Sequence, residues 1–371
     1  MKTSILRTAA KAFDRWLASI SPGERIYFLE KIHSQILDRL TRAEESRLLS
    51  GTHGARVQVL KQLYVREAEH LDRADMVEFF RAAAIPIGVE SFSASGSLGV
   101  FQGSTRDYGV MARYAACGDW GPAYQALLTE HLFAKGQGTL VDVGANIGLT
   151  SIPIARERRI VCYAFEPEAK NFLYLRQNVL ANGVESLVHC FNLALFSKEG
   201  VFRFQVSKGN LGDHRVGSAV SIGEVTSGDP EEQEKQGVEV KATTLDVVFK
   251  DKLLASPIVV KCDTQGSEVH VLRGAAEFMG RVDCLIAEFA PYLLDRLGDS
   301  VEAYIEAIAQ FPYGALQECP DDLLQPGPPV LLRLEPIESV IEKMRAFAHA
   351  NAGSHAYADL VLARRPELGS R

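Results

Sequence analysis

Four carboxylates stand at or near the ends of four short apolar runs: Asp142 in "TLVDVG", Glu166 in "VCYAFEPE", Asp263 in "IVVKCD" and Glu288 in "CLIAEF". Runs of this kind, alternating with helical stretches, read as strands of a parallel sheet covered on both faces, and chemistry in such sheets gathers at the carboxyl ends of the strands. The first run leads into Gly144-Ala145-Asn146-Ile147-Gly148, where glycines let the chain turn tightly and let a ligand approach the main chain. A dinucleotide would call for G-x-G-x-x-G, because its pyrophosphate rests on a helix N-terminus. Asn146 occupies the place of the second glycine, and no third glycine follows at the required offset. Asp142 adds negative charge beside the turn, which suits an ammonium or sulfonium group better than a diphosphate. Glu166, about two dozen residues on, lies at the offset from which an acid reaches ribose hydroxyls. By itself the turn also reads as a plain strand–helix junction. Joined to Glu166 it points to an adenosine-type cofactor, with S-adenosylmethionine favoured over NAD.

Methyl transfer from a sulfonium needs an aligned acceptor, exclusion of water and, for an alcohol, a base that takes the proton. Asp263 is the first candidate for the acceptor or methionine end of the site, and Glu288 the second. His214, in "KGNLGDHRVGS", has the side chain suited to a base near neutral pH, with Asp213 or Arg215 as acceptor contacts; the bland reading is an exposed, solvated turn. Gln265, Ser267 and Glu268 follow Asp263, and helix capping by Ser267 or Thr264 with Glu268 in the first turn competes with a functional role. Lys261 alternates with Asp263 and so shares its face, as a salt bridge rather than a catalyst. His270 reads as packed. Asp263 and Glu288 could ligate Mg2+ or Ca2+, but nothing in their spacing demands a metal. No G-x-S-x-G, H-E-x-x-H or P-loop signature occurs.

The elements that must position these residues begin after about residue 135. Strands are expected at Leu140–Val143, Val161–Phe165, Leu187–Asn192, Ile258–Asp263, Cys284–Phe289 and Leu360–Ala363, with a long insertion between the third and fourth. The insertion carries the strands "VFRFQV" and "VEVKATT" around a charged loop. Residues 1–95 read as an N-terminal helical region and 96–371 as the catalytic domain. Helical spacing recurs over residues 5–20, through Ile32, Ile36 and Leu40, over 56–68 and over 73–84. These helices offer a packed cap or a homodimer surface, with a lipid contact as the weaker reading.

A formal net charge of -7 over 371 residues argues against a nucleic-acid partner. The six cysteines show no C-x-x-C pair and read as free thiols of a reducing, cytoplasmic compartment. No run reaches the roughly 20 apolar residues of a membrane span.

Together, "VDVGANIG", "FEP", "VVKCDTQGSEVHVLRGA" and "ADLVLAR" resemble the FkbM-type methyltransferases over about Gly118 to Arg364. The resemblance implies an α/β class I methyltransferase (Rossmann-like) sheet of seven strands with the last antiparallel. It also implies S-adenosylmethionine as donor and a hydroxyl acceptor on a sugar, glycan or small polyketide-like metabolite. By position, Asp142, Gly144, Asn146 and Gly148 match the cofactor loop, and Glu166 matches the ribose acid. Two positions depart: the family's frequent D-V-E-G is Asp263-Thr264-Gln265-Gly266 here, and Tyr124, after Trp120, stands where a W-x-x-x-E glutamate is common. The expectation is an S-adenosylmethionine-dependent O-methyltransferase. Its catalytic candidates are Asp263, His214 and Glu288, and its cofactor contacts are Asp142, Gly144, Asn146, Gly148, Glu166 and Asp263. A non-catalytic cofactor-binding scaffold, suggested by Gln265 and Tyr124, is the first alternative; an NAD(P) oxidoreductase lacks its phosphate-binding glycines.

Overall fold

The computed structural model describes residues 73–85, 88–206, 215–216, 236–318 and 333–367, with isolated positions between 44 and 59. Helix α1 (Arg73–Ala84) leads into a hairpin of β1 (Ser91–Gly96) and β2 (Gly99–Ser104), followed by α2 (Met111–Cys117). Strands and helices then alternate through β3 (Thr139–Val143), α3 (Ser151–Arg158), β4 (Val161–Phe165), α4 (Ala169–Ala181) and β5 (Val188–Phe191). The insertion forms its own small sheet from β6 (Ala194–Leu195), β7 (Gly200–Val206), β8 (Arg215–Val216) and β9 (Gln236–Thr243). The alternation resumes with β10 (Ile258–Cys262), α5 (Glu268–Arg273), β11 (Cys284–Phe289), α6 (Val301–Ile308), β12 (Tyr313–Glu318), β13 (Glu335–Pro336), α7 (Ile337–Ala350) and β14 (Ala358–Ala363).

The main sheet runs β13-β12-β14-β11-β10-β3-β4-β5. From β3 the chain builds outward through β4 and β5, then returns to add β10 and β11 on the other side, all parallel. The loops after β3 and β10 therefore part company, and the crevice between them is where an open α/β sheet takes its ligand. The last strand, β14, is antiparallel to both β11 and β12, as expected. The sheet has eight strands rather than the expected seven. The addition is β13, two residues at the outer edge of β12, where Pro336 is tolerated because no further strand needs its missing N–H.

Each face of the sheet is covered. Val141, Val143, Val260, Cys262, Leu285 and Phe289 pack on one side with residues of α5, α6 and α7. Leu140, Cys162, Ala164, Val259 and Ile286 pack on the other with residues of α2, α3, α4 and the hairpin. Of the expected N-terminal helices, the one over 73–84 is present and the earlier ones lie outside the described residues. Arg73 ties α1 to α2 and β1, its Nε donating to the Ala115 carbonyl at 2.5 Å and its guanidinium also reaching that of Ser95.

The hairpin is fastened to the sheet by two side-chain amides one helical turn apart on and just after α4. Asn178 accepts from the Gln102 amide at 2.7 Å and donates to the carbonyls of Gln102 (3.0 Å) and Ile147 (2.9 Å). Asn182 accepts from the Val100 amide at 3.1 Å and donates to its carbonyl at 2.7 Å. The amides thus stand in for a neighbouring strand along β2. Because Asn178 is buried, Asn178→Ala orphans three backbone groups and is expected to cost about 2–3 kcal/mol in denaturant unfolding. Asn182→Ala, at a more exposed position, is expected to cost about 1 kcal/mol.

Candidate active site

The loop after β3 holds its shape by turning its amides inward. Gly144 and Ala145 both donate to the Phe165 carbonyl (3.1 and 2.9 Å), Asn146 to the Glu166 carboxylate (2.9 Å) and Gly148 to the Ala145 carbonyl (2.8 Å). Gly144, Asn146 and Gly148 have positive φ of 81°, 51° and 95°. At Gly144 a Cβ would lie 2.0 Å from the Asp263 carbonyl oxygen, so the two loops flanking the crevice touch only because no side chain intervenes.

Asp142 and Lys261 are register partners on β3 and β10 and share a face. Lys261 Nζ donates to the Gly144 carbonyl at 2.9 Å and lies 3.6 Å from Asp142 and 3.4 Å from Asp263. Burial pulls its pKa down, but the two aspartates outweigh that and hold the ammonium charged. The salt bridge expected with Asp263 is present and extends to Asp142. The other oxygen of Asp142 accepts from Ser151 at the start of α3, so a fully buried carboxylate is held from two sides.

Glu166 follows β4 with both oxygens aimed at the loops, accepting from the Asn146 amide on one and the Glu168 amide on the other (2.9 Å each). Burial pushes its carboxyl up to about 8, against the pull of those two amides.

Across the crevice, Glu268 shapes the loop after β10. Its carboxylate accepts from the Thr264 amide (2.7 Å), the Thr264 hydroxyl (2.9 Å) and the Gly266 amide (2.9 Å), and burial raises it to about 7. The expected capping by Ser267 or Thr264 is not formed: Ser267 occupies the cap position but its hydroxyl makes no capping bond, and Glu268, in the first turn as expected, bonds the loop ahead of the helix instead. Gln265 projects from this loop and donates to Asp263 at 3.0 Å and to Glu288 at 3.1 Å. Burial, then Asp263, Glu268 and Asp359, raise Glu288 well above the usual carboxylate range, opposed by Lys261.

Asp359, which was not among the sequence candidates, is the register partner of Glu288 across β11 and β14. An antiparallel last strand begins at the edge where the parallel strands end, so the acid in "ADLVLAR" was a signal for this position. Tyr124 lies on the Leu140 face of the sheet, and burial followed by Asp142, Asp359 and Asp263 keeps its hydroxyl protonated.

The structure therefore brings Asp142, Gly144, Asn146, Gly148, Glu166, Asp263 and Glu288 to one edge of the sheet. His214 and Asp213 lie outside the described residues. His270 is packed as expected, stacked on Phe196 (4.2 Å between centroids), with Nε2 3.1 Å from Asp299. Among the described residues no group of three or more His, Cys, Asp or Glu is arranged to hold a metal ion, and no helix is long and apolar enough to cross a membrane.

The donor set decides which nucleotide-like ligand fits. Four of the five amides of Gly144–Gly148 are spent inside the protein, so little is left to cradle a diphosphate. The crevice is instead rich in acceptors, which match a ribose diol, an ammonium and a sulfonium.

The family model of the methyltransferase FkbM domain matches residues 142–313, from the acid of β3 to the first residue of β12. Among solved structures, an rRNA methylase of Streptococcus thermophilus is similar at 10% identity, covering 65% of this chain and 95% of that one with a TM-score of 0.35. TYW2 of Pyrococcus horikoshii is similar at 13% identity over 66% of this chain and 65% of that one, TM-score 0.28. A human methyltransferase 10 domain-containing protein is similar at 11% identity over 61% and 72%, TM-score 0.28. No curated protein matches the sequence. Over residues 142–313 the chain is thus similar to the methyltransferase FkbM domain, the resemblance that its sequence motifs carry.

Proposed function

We propose that the protein is an O-methyltransferase that acts on a hydroxyl of a sugar, glycan or secondary metabolite. The observation that carries this reading is the crevice itself, where Asp142, Glu166, Asp263, Glu288 and Asp359 share one sheet edge, Lys261 lies against Asp142 and Asp263, and the amides of the adjoining loop are already bonded. When bound, the cofactor supplies a methyl group on a cationic sulfur. Asp142 and the Gly144–Gly148 loop hold its methionyl side, Glu166 its ribose, and Asp263 the end nearest the acceptor. Asp263, with 44% of its side chain exposed, orients the acceptor hydroxyl. Glu288 takes the hydroxyl proton, because burial and neighbouring acids raise its affinity for a proton toward what an alcohol requires.

Glu166→Gln tests the ribose contact through protons. In the free protein Glu166, pushed up to about 8, is mostly protonated at neutral pH. Hydroxyl donors favour the charged form, so cofactor binding expels a proton, and affinity rises as the pH goes from about 6 to 8. Calorimetry in buffers of different ionisation enthalpy is expected to register this release in the wild type and to lose it in Glu166→Gln. An unchanged release in the variant would remove Glu166 from the ribose site.

The activity is tested by release of S-adenosylhomocysteine against a panel of glycosides, free sugars and hydroxylated metabolites. Glu288→Gln is expected to lower kcat about 100-fold or more with cofactor affinity within about twofold. Cofactor binding with no release across the panel would favour the scaffold reading. Equal turnover in the variant would exclude Glu288 as the base.

A further inference from the structure

The side chain of Gln265 lies between two carboxylates, and the loop is built to put it there. Glu268 draws the Thr264 and Gly266 amides toward itself at 2.7 and 2.9 Å, so the peptide between them is pushed out. Gln265 adopts φ 55°, in the left-handed region that is unfavourable for a side-chain-bearing residue, and Gly266 comes next at φ 99°. A Cβ on Gly266 would lie 2.8 Å from that of Leu293, so the loop is also pinned from behind. Strain of this kind persists where the surroundings over-determine it.

The amide nitrogen, not the oxygen, must face the acids, because carboxylates offer only acceptors. One nitrogen with two hydrogens serves Asp263 Oδ1 at 3.0 Å and Glu288 Oε2 at 3.1 Å. The charged groups that bear on Glu288 are Asp263 and Lys261 on or next to β10, Glu268 on α5 and Asp359 on β14. Tyr304 on α6 donates to the backbone carbonyl of Glu288 at 2.8 Å, fixing the strand but leaving the carboxylate free of it. Three acids against one ammonium would drive Glu288 to its neutral form, in which it accepts no proton. Gln265 opposes that by bonding to the charged form of both acids at once.

The geometry points to Gln265 as a positioning residue that cross-links Asp263 and Glu288 and favours the charged form of Glu288 at the acceptor edge. This rests on the reading of Glu288 as the acceptor's base. A glutamate at 265, as in the D-V-E-G motif, would replace two donors by a third acid, so the glutamine marks a site tuned differently from that motif.

The test is a carboxyl-carbon NMR titration of the full-length protein labelled with δ-13C glutamate, the Glu288 resonance being assigned by its loss in Glu288→Gln. In Gln265→Leu the Glu288 midpoint is expected to rise by about one pH unit, and in the isosteric Gln265→Glu at least as far. The Glu166 midpoint is expected to stay put and S-adenosylhomocysteine affinity to stay within about threefold, neither of which a collapsed loop would allow. If the leucine variant does not fold, the isosteric variant carries the test. An unmoved Glu288 midpoint in a folded variant overturns the proposal while leaving the cofactor site intact. Failure of the wild type to bind S-adenosylhomocysteine overturns the reading of the site on which the proposal stands.

Discussion

The ammonium of Lys261 donates to the carbonyl of Gly144 and stands within 3.6 Å of Asp142 and 3.4 Å of Asp263, so one cation joins the two strands and the two loops that border the crevice. Its place on β10, in register with Asp142, is what allows two acids to converge at a buried edge where they would otherwise repel. A buried pair adds little net stability when its desolvation is counted, yet an acid left without its partner there is costly. The arrangement is better understood as fixing the relative position of the loops than as holding the fold together. The strands themselves are held by the apolar layers on either side.

That constraint also sets the selectivity of the crevice. The loop after β3 passes so close to the Asp263 carbonyl that only glycine fits at 144, and its amides turn toward the Phe165 carbonyl and Glu166. Donors that a phosphate would use are consumed, while acids accumulate along the ends of β3, β4, β10 and β11 and the start of β14. A cationic ligand gains from this and a diphosphate loses. Glu166 takes part in the first effect by bonding the Asn146 amide, and burial raises its affinity for a proton.

The parallel strands were legible because near-continuous apolar runs are what a sheet buried on both faces requires, and β3, β4, β5, β10 and β11 fall within a residue or two of the positions read from the sequence. The hairpin was not, since "SFSASG" and "GVFQGS" are rich in serine and glycine with few large apolar residues, and β2 is docked by the amides of Asn178 and Asn182 rather than by an apolar run. Strand β12, "YGALQE", has no β-branched residue, and β13 contains a proline; both are strands because the edge of β14 offers them partners. At the site, alternation alone placed Lys261 beside Asp263. Its second partner, Asp142, and the pairing of Glu288 with Asp359 depend on inter-strand register, which a single run of sequence does not contain. A first-turn place for Glu268 was one of two readings there; that its carboxylate would bond the Thr264 and Gly266 amides ahead of the helix depends on the closed geometry of the loop.

The most direct measurement is calorimetric titration of the protein with S-adenosylmethionine and, separately, with NAD, near pH 8 and at moderate ionic strength. An acceptor-rich crevice whose loop amides are already bonded predicts saturable binding of S-adenosylmethionine and none of NAD at the same concentrations. Saturable binding of NAD alone would contradict the account, because it would require the Gly144–Gly148 amides to be free for a diphosphate.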